Sequence, residues 1–241
     1  MFLRKLAFWL DGKCSLDYGI ILQKEITFDG AEPDYEAQHI PGRNGDLYFW
    51  DASYKNVQGK ATCYVIGEGT AAERRQKAIE FFFGTPGYLR LELDNEPDTY
   101  RMVIPTKGPG TDIRVSSVAP FEVTFSAKPE IYLKSGERTV TFAKSGATLK
   151  NPTAFSSKPL ITVKGNSAGS LFVNGVECRF LSLSGSCTLD CNTQEAYKNG
   201  ENKNNTVAIA EYPVLSAGSN AITWTGGVQS VEIIPRWCFI A

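Results

Sequence analysis

The sequence predicts a mainly β protein, and three observations carry that expectation. Turn formers and aromatics are abundant: 22 glycines, 12 prolines, 14 phenylalanines and 10 tyrosines, against two methionines. That composition suits a pleated, turn-punctuated chain. Short alternating runs bounded by turn residues recur along the length, and only GTAAERRQKAIEFFFGTPG combines a helical period with start and stop signals.

The alternation of Phe2 to Leu10 ends at Asp11-Gly12, a turn dipeptide, so a strand or hairpin opens the chain. Ser15 to Phe28 reads as two short strands with a turn between them, followed by an acidic loop, DGAEPDYEA. HIPGRNGDLYFWDASYKN then sets Arg43 between two glycines beside Pro41. A phosphate-cradling loop would end in Lys-Ser/Thr and open a helix, whereas Asp46 to Trp50 is strand-like. The structural reading is preferred: Gly42 and Gly45 permit positive φ, and Arg43 projects from a tight turn to pin a neighbouring loop or subunit. Pro41, Gly42, Arg43 and Gly45 are the candidate structural or interface residues.

In the helix, Thr70 and Glu73 form a capping box, Ala72, Ile79 and Phe83 recur on one face, and Gly84, Pro86 and Gly87 stop it. The helix is expected to lay its phenylalanines across a sheet. A hairpin, Tyr88 to Asp94 and Thr99 to Pro105, and a strand, Phe121 to Ala127, complete this half. The texture changes around Lys134 to Glu137, which divides the chain into domains 1–136 and 137–241. The second half reads as seven or eight short strands, the count of a β-sandwich. Among them are TVTFA, LITVKG and SLFVNGVECRFLSL, with Asn174-Gly175 as a hairpin turn, then Cys187 to Cys191, Thr206 to Ala210, Ala221 to Thr225 and Val228 to Ile234.

Composition excludes several function classes. At 241 residues the chain makes one large domain or two ordinary ones, and 25 Lys and Arg against 26 Asp and Glu leave a net charge of -1, unlike an electrostatic nucleic-acid binder. The apolar run after Arg4 and Lys5 is shorter than a signal sequence needs, and no stretch is long enough for a membrane span. A soluble protein made in the cytoplasm is expected. Six scattered cysteines without C-x-x-C, and one histidine, argue against zinc and for small buried thiols; no metal or cofactor is expected.

His39 has no nucleophile context, so no catalytic residue is assigned. Asp29, Glu32, Asp34 and Glu36 are the best carboxylates for glycosidase chemistry, although crowded loop acids are more often a solvated surface. Trp224 and Trp237 are candidate sugar-stacking residues, with core or interface anchoring the commoner role. NGENKNN, Asn199 to Asn205, reads as a mobile surface loop. A carbohydrate-binding adhesion module is therefore the alternative function, and a cell-wall hydrolase a third.

The ordered set of motifs resembles the distal tail protein (Dit) family of long, non-contractile-tailed bacteriophages over nearly the whole chain. FWLDGKCSLDYGIILQK looks like the family's opening hairpin with its Asp-Tyr-Gly step, HIPGRNGDL like its P-G-R-x-G-x-L signature, and AAERRQKAIEFFF like its single helix. LKNPTAFSSKPLITVKGNSAGSLFVNG, LDCNTQEAYKNG and YPVLSAGSNAITWTGGVQSVEIIPRW are similar to its later segments. The resemblance implies a non-enzymatic virion protein at the distal tip of the tail, synthesised in the host bacterial cytoplasm. Its N-terminal domain would close into a homohexameric ring around a channel through which DNA only passes, and its C-terminal domain would be a galectin-like β-sandwich. The implied partners are the tail tube protein, a tail-associated fibre or lysin protein and, in some members, a receptor-binding protein, with no membrane partner.

Overall fold

In the computed structural model, which describes residues 7–109 and 120–241, strands dominate and two units each enclose their own core. Unit one is Met1–Ile131 with Ile240–Ala241, and unit two is Tyr132–Phe239. The start of the expected opening strand, Phe2 to Leu6, lies outside the described residues.

Unit one contains β1 (Phe8–Leu10), β2 (Lys13–Cys14), β3 (Ile20–Leu22), β4 (Thr27–Phe28), β5 (Pro33–Gln38), β6 (Leu47–Tyr54), β7 (Val57–Val65), α1 (Ala71–Phe83), β8 (Leu89–Leu93), β9 (Thr99–Lys107) and β10 (Phe121–Leu133). Its main sheet runs β2-β1-β8-β9-β10-β7-β3, with β4 on β7. A 3-10 turn, Ser15–Tyr18, joins β2 to β3, so the two ends of the sheet are only one turn apart along the chain and the sheet curls back on itself. The Asp-Tyr-Gly step makes that join. The Tyr18 ring packs 5.0 Å from Phe81, and Gly19, at φ 69°, accepts the Ile66 N–H at 2.8 Å. A Cβ at Gly19 would collide with the Ile66 carbonyl.

The strands of this sheet alternate as amphipathic strands must, burying Val57, Ala61 and Cys63 on β7 and Phe121, Val123, Phe125 and Ala127 on β10. Gly59 leaves room for the Phe28 ring. The capping box on α1 is present, with the Glu73 N–H donating to Thr70 Oγ1 at 3.3 Å and the Thr70 N–H to Glu73 Oε2 at 2.7 Å. The buried face, however, is Ala78, Phe81 and Phe82, while Ala72 and Phe83 are exposed. Two adjacent phenylalanines offer more apolar area than the expected Ala72–Ile79–Phe83 stripe, and the helix is rotated to seat them. Phe82 lies 6.1 Å from Phe8 and 6.2 Å from Phe125.

Unit two contains β11 (Val140–Phe142), β12 (Ala147–Asn151), β13 (Leu160–Val173), β14 (Val176–Phe180), β15 (Gly185–Asp190), β16 (Glu195–Lys198), β17 (Glu201–Asn202), β18 (Val207–Ile209) and β19 (Gly218–Ile234). The last strand, β20 (Cys238–Ile240), pairs with β10. Stretches expected to be separate short strands are continuous: LITVKG and SLFV are one strand, β13, and Ala221 to Ile234 lies within β19. Both change neighbours part-way. β13 pairs β15 through Leu160–Gly165 and β14 through Gly169–Val173, while β19 pairs β12 at one end and β11 at the other.

The change happens at glycines. The β13–β19 register breaks between Lys164 and Gly169, where Gly165, Gly169, Gly226 and Gly227 bring the two backbones too close for any Cβ. One ladder thereby becomes two layers around a shared core that includes Ile161, Leu171, Phe180, Leu189 and Val231. Side-chain amides hold the loops. Asn151 Nδ2 donates to the carbonyls of Phe155 and Leu215 at 2.8 and 3.1 Å, and its Oδ1 accepts the Thr153 N–H at 2.9 Å, which is the work of the Asn-Pro-Thr step. Arg236 pairs with Asp190 through two hydrogen bonds, 2.7 and 3.0 Å.

Two outcomes test this account. Gly226, at φ 68°, would place a Cβ 2.7 Å from the Ala168 carbonyl, so Gly226→Ala is expected to cost about 1–3 kcal/mol. An unchanged urea midpoint would refute the close-crossing argument. Burial pushes the Asp190 carboxyl up, but the Arg236 hydrogen bonds and charge and the N–H groups of Asn192 and Thr193 outweigh it and hold the pKa below the ordinary value. Asp190 therefore stabilises the fold above the unfolded carboxylate pKa of about 3.9, and that contribution disappears as pH falls through the lower folded value. Asp190→Asn is expected to lower neutral-pH stability and flatten the acid limb of a stability–pH curve, and an identical acid limb would contradict it.

Candidate functional site

One pair of strands belongs to neither core sheet. Among the described residues β5 and β6 pair only with each other, Tyr35 opposite Trp50, Glu36 opposite Phe49 and Ala37 opposite Tyr48. Opposite residues share a face, so Tyr35, Tyr48 and Trp50 line one side of this arm and Glu36 and Phe49 the other. The stretch expected to be an acidic loop is thus partly a strand, β5. The rings form a ladder, with centroids 5.8 Å apart for Tyr35–Tyr48, 6.1 Å for Tyr35–Trp50 and 5.7 Å for Trp50–Tyr54. Yet Tyr35, Tyr48, Phe49 and Trp50 keep 49%, 61%, 51% and 47% of their surface exposed.

A lone two-stranded hairpin is marginal in water, and local bonds compensate here. The ladder is irregular between Pro33 and Tyr35, and Ala52 opposite it has φ 66°. There Asp51 Oδ1 accepts the Ser53 N–H at 2.9 Å and Trp50 Nε1 donates to the Ser53 carbonyl at 2.8 Å. Hydrogen bonds from Ser53 hold the Asp51 pKa below its ordinary value. At the base, the Lys55 N–H donates to the Glu32 carbonyl at 2.9 Å.

The four candidate interface residues Pro41, Gly42, Arg43 and Gly45 lie together at the arm's tip. The Ile40 carbonyl accepts the Arg43 N–H at 3.1 Å, with Pro41 second and Gly42 third in the turn at φ 81°, the arrangement a type II turn requires. Gly45, also at φ 81°, supplies a second reversal. His39 Nδ1 meets Asp46 Oδ1 at 3.2 Å across the base of the tip. Arg43 is exposed, and among the described residues no carboxylate pairs with it.

The catalytic candidates are not brought together. Asp29, Glu32, Asp34 and Glu36 are strung along exposed chain before and within β5, and Asp34 meets Lys55 at 3.6 Å. No described cluster of His, Cys, Asp and Glu could hold a metal. All six cysteines are unbridged, and burial pushes the thiols of Cys63 and Cys178 up to about 12, so they pack rather than react. Trp224 and Trp237 are 9% and 6% exposed within the core of unit two, so neither ring offers a face to a sugar. For Trp224 the reason is the alternation of β19, which points Ile222, Trp224 and Val231 inward. Asn199-Gly200 is a hairpin turn between β16 and β17, and Asn204 Oδ1 accepts the Ala196 N–H at 2.6 Å, so that segment is tied to the sheet. No described helix is long and apolar enough to cross a membrane.

The aromatic arm was the feature sequence reasoning missed. Its signal was present in Tyr48-Phe49-Trp50, because three consecutive aromatics on a strand put large rings on both faces.

No family model matches the chain, and no curated protein matches it. Among solved structures it is similar to the crystal structure of Dit (gp 19.1) of SPP1, described as a paradigm of the hub adsorption apparatus in phages infecting Gram-positive bacteria. The TM-score is 0.70 at 13% sequence identity, with 95% of this chain and 98% of that chain covered. The chain has a Dit-like fold. At that identity the shared property is the path of the backbone.

Proposed function

We propose that this chain is a non-enzymatic structural protein of a phage tail, a distal tail protein whose copies close into a hexameric ring at the tail tip. The ring joins the tail tube to the tail-associated fibre or lysin protein and surrounds the channel through which DNA passes. The observation that carries this reading is the aromatic arm on a Dit-like scaffold. Half-exposed Tyr and Trp side chains are the currency of protein interfaces, and the arm of one copy laid on a different surface of the next is a heterologous contact, which forms rings when its rotation closes.

In this reading 1–136 is the ring-forming domain, with Pro41, Gly42, Arg43 and Gly45 at the leading end of the contact. The segment 137–241 is a galectin-like sandwich that presents surface to attached proteins. A net charge of -1 suits a ring that lets DNA through without holding it. The protein is made in the host bacterial cytoplasm and ends at the tip of the virion tail.

Electron microscopy of assembled particles, with light scattering on purified protein, tests the proposal. Rings are expected for the native chain. Tyr48→Ser with Trp50→Ser is expected to abolish them while leaving the melting of both cores unchanged, and Arg43→Ala to weaken them. Rings that survive the double substitution would remove the arm from the interface, and absence of the protein from tails would end the reading altogether.

A further inference from the structure

The chain contains three Asn-Gly pairs, Asn44-Gly45, Asn174-Gly175 and Asn199-Gly200, and the fold treats them differently. We propose that Asn44, at the tip of the arm, is a site of spontaneous deamidation and isoaspartate formation, while the structure spares the other two.

The chemistry needs only water. The backbone nitrogen of the glycine, losing its proton to solvent, attacks the asparagine Cγ, and the bond to the side-chain nitrogen breaks to release ammonia. Water then opens the resulting succinimide at either carbonyl, leaving aspartate or isoaspartate. No electrons are transferred. Three conditions govern the rate: an unhindered glycine nitrogen, a side chain free to swing, and a peptide free to rotate.

The first condition does not discriminate, because the Cβ position of Gly45, Gly175 and Gly200 is open in all three cases. The second excludes Asn174. Its Nδ2 donates to Asn220 Oδ1 at 2.7 Å and its Oδ1 accepts the Ala221 N–H at 2.9 Å, while its own N–H donates to the Ala221 carbonyl at 3.0 Å. The third separates the remaining two. Asn199 at φ 50° and Gly200 at φ 81° form a two-residue turn clamped between paired Lys198 and Glu201, and Lys198 Nζ is itself tied to the Ser184 carbonyl. Among the described residues nothing engages the Asn44 side chain. The turn bond from Arg43 to Ile40 closes before Asn44, and the His39–Asp46 contact spans the loop without fixing the Asn44–Gly45 peptide.

The product sets a new carboxylate beside Arg43, and the isoaspartate form adds a methylene to the backbone of the tip. Under the ring reading, aged chains assemble less well than fresh ones; that consequence rests on the reading above, and the modification does not.

The test is peptide mass mapping, with enzymatic labelling of isoaspartate, of the full chain incubated at mildly alkaline pH. The native fold and the urea-denatured chain are compared site by site, which separates the sequence's liability from the fold's protection. Asn44 is expected to react at nearly the same rate folded and denatured, Asn199 several-fold more slowly when folded, and Asn174 hardly at all when folded. Equal protection of Asn44 and Asn174, or faster native reaction at Asn199 than at Asn44, would overturn the assignment. Asn44→Gln is expected to remove the isoaspartate signal from the tip peptide, and its persistence there would place the reaction elsewhere. Since the measurement is made on unassembled chains, its failure leaves the ring reading untouched, and failure to form rings leaves it valid.

Discussion

Tyr48, Phe49 and Trp50 follow one another along a strand, and successive strand residues point to opposite faces. No single core can cover such a strand, since a one-sided sheet buries only alternate residues. A fully buried strand would need apolar layers on both sides, and among the described residues β5–β6 pairs with no third strand. The aromatic area is therefore left on the outside, partly shielded by contacts among the rings themselves. The core of unit one is built without the arm. The main sheet and α1 satisfy their own apolar faces through Phe8, Phe81, Phe82 and Phe125, and the arm's aromatics stay exposed.

Unit two solves a different problem, that of making two layers without many connections. Two long strands turn from one layer into the other together, and the turning point must let their backbones touch. Only glycine allows it, because a Cβ at Gly226 or Gly227 would enter the space of Ala168 or Ser167. The crossing in turn aims β19 so that Trp224 faces inward. The burial that removes Trp224 from any sugar-binding role is thus a consequence of strand geometry.

What could be read from the sequence was local chemistry. The Thr70–Glu73 box, the Asn174-Gly175 hairpin and the Pro41-Gly42 turn each depend on residues a few positions apart, and all stand where their residues require. The similarity of the whole chain to a Dit-like backbone was legible from many such motifs in order. What depended on distant partners was not. The continuity of β13 through Gly165–Gly169 is invisible without β19 beside it, and the helix chose Phe81 and Phe82 over Ile79 and Phe83 because of the sheet it meets. β5 resembled a loop because its acids mask a strand that is defined only by pairing with β6.

Those acids also answer how an exposed aromatic arm is kept from sticking to whatever it meets. Between Asp29 and Asn56 the chain carries Asp29, Glu32, Asp34, Glu36, Asp46 and Asp51, with only Arg43 and Lys55 as fixed positive charges. Like arms therefore repel one another, and an edge strand studded with charge is a poor template for strand addition. Lys55 is already engaged with Asp34 near the base, which leaves Arg43 at the tip as the charge of opposite sign that an approaching surface meets first. An arm built this way is discouraged from pairing with its own kind along its length and can be welcomed at its end. Under the ring reading proposed above, that combination favours a directional head-to-tail contact over a symmetric one, the kind of contact that closes into a ring when its rotation allows.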